Sequence, residues 1–155
     1  MYVQDKGELQ VGDSLPARSR VITQKLMIDF TETVGFRNPI HYGGDFAAGS
    51  AYGGPIASGP LLLCLLDDLM IRQFGDNWFA SGALSVAFVG PVRPADRVTV
   101  DATVSSAEYD SDTQRYEFEI TCTTQAGAAV MAGTASVSVP VGYRPDIEGG
   151  DLASA

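Results

Sequence analysis

Cysteine is scarce in this 155-residue chain, which holds two, Cys64 and Cys122. That excludes a disulfide-dense secreted scaffold and makes a reducing, cytoplasmic setting the expectation. Cys64 lies in an apolar run, where a thiol is expected to be buried as a small hydrophobe. Histidine is scarcer still: His41 stands alone, and one imidazole with two distant thiols does not make a zinc site. Cations are also in deficit, with 10 Lys+Arg against 19 Asp+Glu and a formal net charge of −9. That sign argues against nucleic acid or an anionic membrane surface as a partner, because both reward positive charge. The longest apolar run, Gly59 to Leu66, is too short to span a bilayer. Met1 to Gly7 has neither the cationic flank nor the apolar stretch of a signal peptide. A phosphate-binding Gly-Lys-Ser/Thr loop, a Gly-x-Ser-x-Gly elbow and internal repeats are absent as well.

What is present reads as one globular domain. At 45% hydrophobic and 19% charged residues the composition is that of a folded protein. A chain of this length buries roughly 68–70% of the surface it exposes when unfolded, which suits a single core. The domain is expected over residues 1–142, with residues 143–155 a flexible tail that frays from Gly142 onward.

A short strand at Arg20-Val21-Ile22 precedes Lys25 to Val34, where Met27, Phe30, Thr31 and Val34 recur near helical spacing. Gly35 is placed to end that helix, and Pro39 disfavours helix at Asn38, so Gly35 to Ser50 is expected to be mostly loop. From Pro55 to Phe74 apolar residues surround almost the whole circumference of a helix, which marks it as buried. Four strand-like stretches follow: Trp78 to Val89, Arg97 to Glu108, Gln114 to Thr124 and Ala128 to Val139. The turn residues between them predict successive antiparallel hairpins. The expected fold is α+β, a sheet wrapped around one central helix.

The chemistry centres on the loop that carries His41. Glycines at 43, 44, 49, 53, 54 and 59 crowd the stretch after it, as turns or as close approaches of backbone. Asn38-Pro39-Ile40-His41, then Tyr52-Gly53-Gly54-Pro55-Ile56-Ala57-Ser58-Gly59, and later Phe88-Val89-Gly90-Pro91-Val92-Arg93-Pro94-Ala95-Asp96 follow in order. Together with Phe46-Ala47 these segments resemble the MaoC-like hotdog family of (R)-specific enoyl-CoA hydratases and acyl dehydratases, over roughly residues 8 to 140. The resemblance implies a hotdog fold and an acyl-thioester lyase of the hydratase or 3-hydroxyacyl dehydratase type. His41 maps onto the catalytic histidine and Gly59 onto the glycine whose N–H meets the thioester oxygen. Such a donor is needed because removing a proton next to a carbonyl develops negative charge on its oxygen. The family's loop reads Gly-Asp-x-Asn-Pro-φ-His-x-Asp, φ being apolar, and here Phe36 replaces the catalytic Asp while Gly43 occupies the second acidic position.

A relocated carboxylate would restore the pair. Asp67 lies eight residues after Gly59, a little over two turns, so both fall near one helix face. If buried there it would have a raised pKa suited to acid–base work; otherwise Asp67 and Asp68 mark the exposed end of the helix. Asp45 and Glu32 read as a cap or surface charges, although Asp45 would be the residue to test for a thioesterase. Arg37 reads either as a contact to a substrate carboxylate or phosphate or as a loop salt bridge. For Arg93, in Pro91-Val92-Arg93-Pro94, the resemblance implies a structural place at a strand entry near the dimer interface. Phe36, Asn38 and Tyr52 join Arg37 as expected substrate-binding residues, and Phe36, Tyr52, Phe46, Trp78 and Phe79 read as walls of an acyl tunnel or as core packing.

No separate cofactor is expected, since CoA or a carrier protein arrives as part of the substrate. A homodimer, or a heterodimer with another hotdog chain, is the expected assembly. Two alternatives share the fold: a pathway-specific isomerase or cyclase with His41 as sole acid/base, and a non-catalytic subunit that pairs with an intact hydratase.

Overall fold

The structure, a computed structural model, describes residues 8–145. Five strands make one antiparallel sheet in the order β1-β3-β4-β5-β2. They are β1 (Arg18–Val21), β2 (Ala83–Phe88), β3 (Arg97–Asp110), β4 (Thr113–Thr124) and β5 (Ala129–Pro140). Helices α1 (Gln24–Val34), α2 (Asp45–Ala48), α3 (Gly59–Phe74) and α4 (Asp76–Ser81) complete the chain.

Alternation is strict along β4 and holds through the first half of β3. Along β4, Gln114, Tyr116, Phe118, Ile120 and Cys122 are buried while their neighbours face outward. This inward row packs on α3, where Leu61, Leu62, Leu65, Leu66, Leu69, Met70 and Phe74 are buried. The Phe74 and Phe118 rings lie 5.6 Å apart and tilted, a favourable aromatic arrangement. The sheet wrapped on a long central helix expected from the sequence is therefore present, with α3 starting at Gly59 rather than Pro55. The residues before it are extended, and Ala57 N–H donates to the Val92 carbonyl.

Thr23 caps α1, its hydroxyl accepting from Leu26 N–H, and Gly35 ends it in the left-handed conformation at φ 79°. The expected loop after Gly35 contains a 3-10 turn over Pro39–His41 and the short α2.

Three expectations change. The stretch from Trp78 begins as helix α4: Asn77 Nδ2 donates to the Phe74 carbonyl, Ser81 Oγ donates to the Asn77 carbonyl, and the strand starts only at Ala83. Cys64 is exposed and only Cys122 is buried, because position 64 falls on the outer face of α3. The start of the expected tail is anchored: Tyr143 donates its hydroxyl to the Gln73 carbonyl and stacks on Phe74, and Gly142 N–H donates to Glu8. Residues 146–155 lie outside the described residues.

Candidate active site

His41 sits in the 3-10 turn between α1 and α2, and local hydrogen bonds hold that turn on both sides. Asn38 Oδ1 accepts from Ile40 N–H, Pro39 supplies the fixed φ of the first turn residue, and Gln24 Nε2 on α1 donates to the His41 carbonyl at 2.9 Å. The ring is fixed separately. Its Nδ1 lies 2.8 Å from the Ile56 carbonyl, which only accepts, so Nδ1 carries the proton and Nε2 is left as the free nitrogen.

His41 and Gly59 share a cavity of about 350 Å³ with Tyr52, Leu62, Phe88 and the Val89–Val92 segment. Gly59 is the first residue of α3, where backbone N–H groups have no intrahelical partner and the helix dipole favours negative charge. A Cβ at position 59 would meet the Phe88 ring at 2.6 Å, so any larger residue there requires that ring to move. The cavity thus presents an imidazole nitrogen and a helix N-terminus to whatever enters it.

The other expected site residues are spread around this pair. Tyr52 lines the cavity, and its carbonyl accepts from Arg93 Nη2 at 2.6 Å, which ties the glycine-rich segment to the chain before β3. Asn38 caps the turn instead of facing the cavity. Phe36 is 60% exposed and is absent from the cavity wall. Arg37 pairs with Glu32 at 2.9 Å, and the other Glu32 oxygen accepts from the Tyr42 hydroxyl at 2.5 Å. That carboxylate clasps the loop on either side of His41. Asp45 sits exposed in the first turn of α2.

Asp67 is not brought to His41 within the chain. It lines a second cavity of about 390 Å³ with Ile71, Trp78, Phe79, Gly82 and Leu84, and its Oδ1 accepts from Trp78 Nε1 at 3.1 Å. Burial pushes the neighbouring Cys64 thiol up, and the Asp67 charge adds to the rise. The carboxylate thus lies on the intermediate-exposure face of α3, not in its apolar core. Trp78 and Phe79 belong to this second cavity, and Phe46 to neither.

Sequence reasoning left out Phe88 and the Ile56 carbonyl. Phe88 was available inside the Phe88-Val89-Gly90-Pro91 segment. A backbone acceptor leaves no mark on residue type. Among the described residues no three His, Cys, Asp or Glu side chains group as metal ligands, and no helix is long and apolar enough to cross a membrane.

Comparison with known proteins fits this geometry. The (R)-specific enoyl-CoA hydratase of Aeromonas caviae is 32% identical over 103 residues, covering 66% of this chain and 75% of that protein. The solved structure of the A. caviae (R)-hydratase involved in PHA biosynthesis superposes with a TM-score of 0.71 at 27% identity, over 83% of this chain and 96% of its own. The MaoC-like dehydratase of Rhodospirillum rubrum (TM-score 0.73, 22% identity, 85% and 93% covered) shows the hotdog fold alone. So does the HadBC 3R-hydroxyacyl-ACP dehydratase complex of Mycobacterium tuberculosis (0.64, 15%, 83% and 96%). The sequence profile of the MaoC like domain matches residues 8–126, and the chain belongs to that family of hydratases and dehydratases.

Proposed function

We propose that the protein is a hydro-lyase that adds water to, or removes it from, the α,β bond of an acyl thioester carried by CoA or a carrier protein, without a separate cofactor. The observation that carries this reading is the shared cavity of His41 and Gly59. In the dehydration direction His41 Nε2 takes the α-proton of a 3-hydroxyacyl thioester. The electrons move toward the thioester oxygen, where the Gly59 N–H and the α3 N-terminus meet the developing charge. The double bond forms as the β-hydroxyl departs with a proton, giving water. That last proton needs a donor, and the cavity wall holds no carboxylate. The assembly is a homodimer, a reading supported by the uncharged end strand β2.

The test is turnover of short- and medium-chain enoyl-CoA substrates, followed by loss of enoyl-thioester absorbance, with His41→Ala as control. Hydration in the wild type and none in the variant is expected. A wild type inert on CoA and carrier thioesters alike overturns the reading.

The exposed Phe36 at the acid position favours a second reading, in which the chain is a non-catalytic subunit paired with an intact hydratase-like chain. The existence of a two-component hotdog dehydratase complex such as HadBC supports that assembly in principle. A wild type active as a purified homodimer eliminates it. An isomerase or cyclase on the same cavity would convert its thioester without exchange of solvent oxygen, which mass spectrometry in labelled water reads directly.

A further inference from the structure

The departing hydroxyl needs a proton, and the wall of the His41 cavity narrows the choice of donor. Among the described residues two side chains of that wall can exchange a proton, those of His41 and Tyr52. The others are glycine, proline, alanine, branched aliphatics and Phe88, whose side chains carry no such group. Ser58 Oγ, next in sequence to Gly59, is buried but is not part of the wall.

Tyr52 is pinned by its backbone. Its N–H donates to Ser50 Oγ at 3.2 Å, and Ser50 Oγ in turn donates to the carbonyl of the fully buried Ala47 at 2.7 Å. Its carbonyl accepts from Arg93 Nη2. Gly53 N–H closes a tight turn on the Ser50 carbonyl, with Gly53 at φ 66°, a conformation that favours glycine. The chain then returns to the histidine: Ile56 N–H donates to the Ile40 carbonyl at 3.2 Å, while the Ile56 carbonyl accepts from His41 Nδ1. Residues 42–55 thus form a closed loop whose two ends meet at His41 and which carries Tyr52 into the same cavity. The hydrogen bonds of Tyr52 among the described residues are all made by its backbone, so the phenol is uncommitted.

We propose that Tyr52 is the second catalytic residue, its phenol supplying the proton with which the β-hydroxyl departs. This rests on the hydro-lyase reading and names the donor that reading requires. In dehydration His41 Nε2 takes the α-proton, and the C–H electrons pass toward the thioester oxygen at the Gly59 N–H. As they return to form the α,β double bond, the bond between the β-carbon and its oxygen breaks with the electron pair on oxygen. That oxygen takes the Tyr52 proton and leaves as water. The imidazolium then passes its proton through water to the phenolate, which restores both groups and leaves an enoyl thioester and water as the net products. Hydration runs the same steps in reverse. Position 36, exposed and off this wall, then has no proton to carry.

The test compares wild type, Tyr52→Phe and His41→Ala on a 3-hydroxyacyl-CoA and the 3-chloroacyl-CoA of the same chain length, followed by the appearance of enoyl-thioester absorbance. Chloride departs without a proton, so the second substrate needs the base and no acid. Tyr52→Phe removes one oxygen from a side chain that is 45% exposed, so the fold is retained. On the hydroxyacyl substrate it is expected to lose about 10²- to 10⁴-fold in kcat with KM within about threefold, and on the chloroacyl substrate to stay within about threefold of wild type. His41→Ala is expected to lose both activities. Tyr52→Phe as fast as wild type on the hydroxyacyl substrate overturns the proposal and leaves the hydro-lyase reading standing. Equal losses on both substrates also overturn it, because they mark a displaced base or substrate and not a missing proton. A wild type inert on the hydroxyacyl substrate, whether carried by CoA or by a carrier protein, overturns the hydro-lyase reading itself and with it the part given to Tyr52.

Discussion

His41 Nδ1 donates to the Ile56 carbonyl across 2.8 Å, so this imidazole is oriented by the backbone that leads into α3 and not by an acidic side chain. The same segment continues directly into Gly59, which couples the position of the free Nε2 to that of the helix N-terminus. Movement of one carries the other.

Replacing His41 with Ala removes the only ring nitrogen in the cavity. The expected loss in kcat/KM on the best enoyl thioester is about 10²- to 10⁴-fold, the usual weight of one acid–base group. Circular dichroism should change little, because the His41 carbonyl, which accepts from Gln24, is retained, whereas losing the Nδ1 bond to the Ile56 carbonyl should cost about 0.5–1.5 kcal/mol of stability.

Gly59→Ala places a methyl group against the Phe88 ring, at 2.6 Å before any adjustment. Overpacking of this kind costs about 1–3 kcal/mol. Phe88 is 49% exposed, so Phe88→Ala in the same chain should recover most of the lost stability. A double-mutant cycle on urea unfolding reads the coupling; additive losses would mean the ring does not meet the methyl group.

Arg37→Ala tests whether that guanidinium serves substrate or loop. Because Arg37 already pairs with Glu32 at an exposed site, KM should stay within about twofold, and the stability change should be below about 1 kcal/mol. A large rise in KM with unchanged kcat would instead show contact with the substrate's anionic portion.

Alkaline stability should fall in a definite window. Burial pushes the Cys122 thiol from 9.0 to about 12, with the Asp101 charge adding to it. Burial likewise pushes the Tyr116 phenol from 10.0 to about 12, helped by Tyr109. Both groups hold their protons in the native state, whereas the unfolded chain releases them at the ordinary values. Their contribution is therefore complete below pH 9.0 and is lost as pH rises through 10 toward about 12. Unfolding midpoints across that range should fall, and Cys122→Ala should flatten the earliest part of the decline.

Much of the fold was legible because its signals are local. The alternation of Tyr116, Phe118, Ile120 and Cys122 fixes a strand face within a few residues, and Leu61 to Phe74 announces a helix apolar around almost its whole circumference. Trp78 misled for the opposite reason. Its bulk and the apolar residues that follow as far as Val89 read as strand, but it lies on a six-residue helix held by Asn77, Ser81 and the distant carboxylate of Asp67. Cys64 was misplaced because on an almost wholly apolar helix, residue type does not show which narrow stripe stays outside the core.

By itself the sequence determined the hairpin order, the buried central helix and the loop that carries His41, since each depends on periodicity, glycine, proline or a contiguous motif. Tertiary structure alone decided that His41 and Gly59 share a cavity while Asp67 lies in another, and that Phe36 is exposed away from both. Those outcomes depend on the phase of α3 against β2 and on contacts between residues far apart in the chain. Spacing along the helix put Gly59 and Asp67 on one face, but the two turns between them carry the carboxylate into a separate cavity.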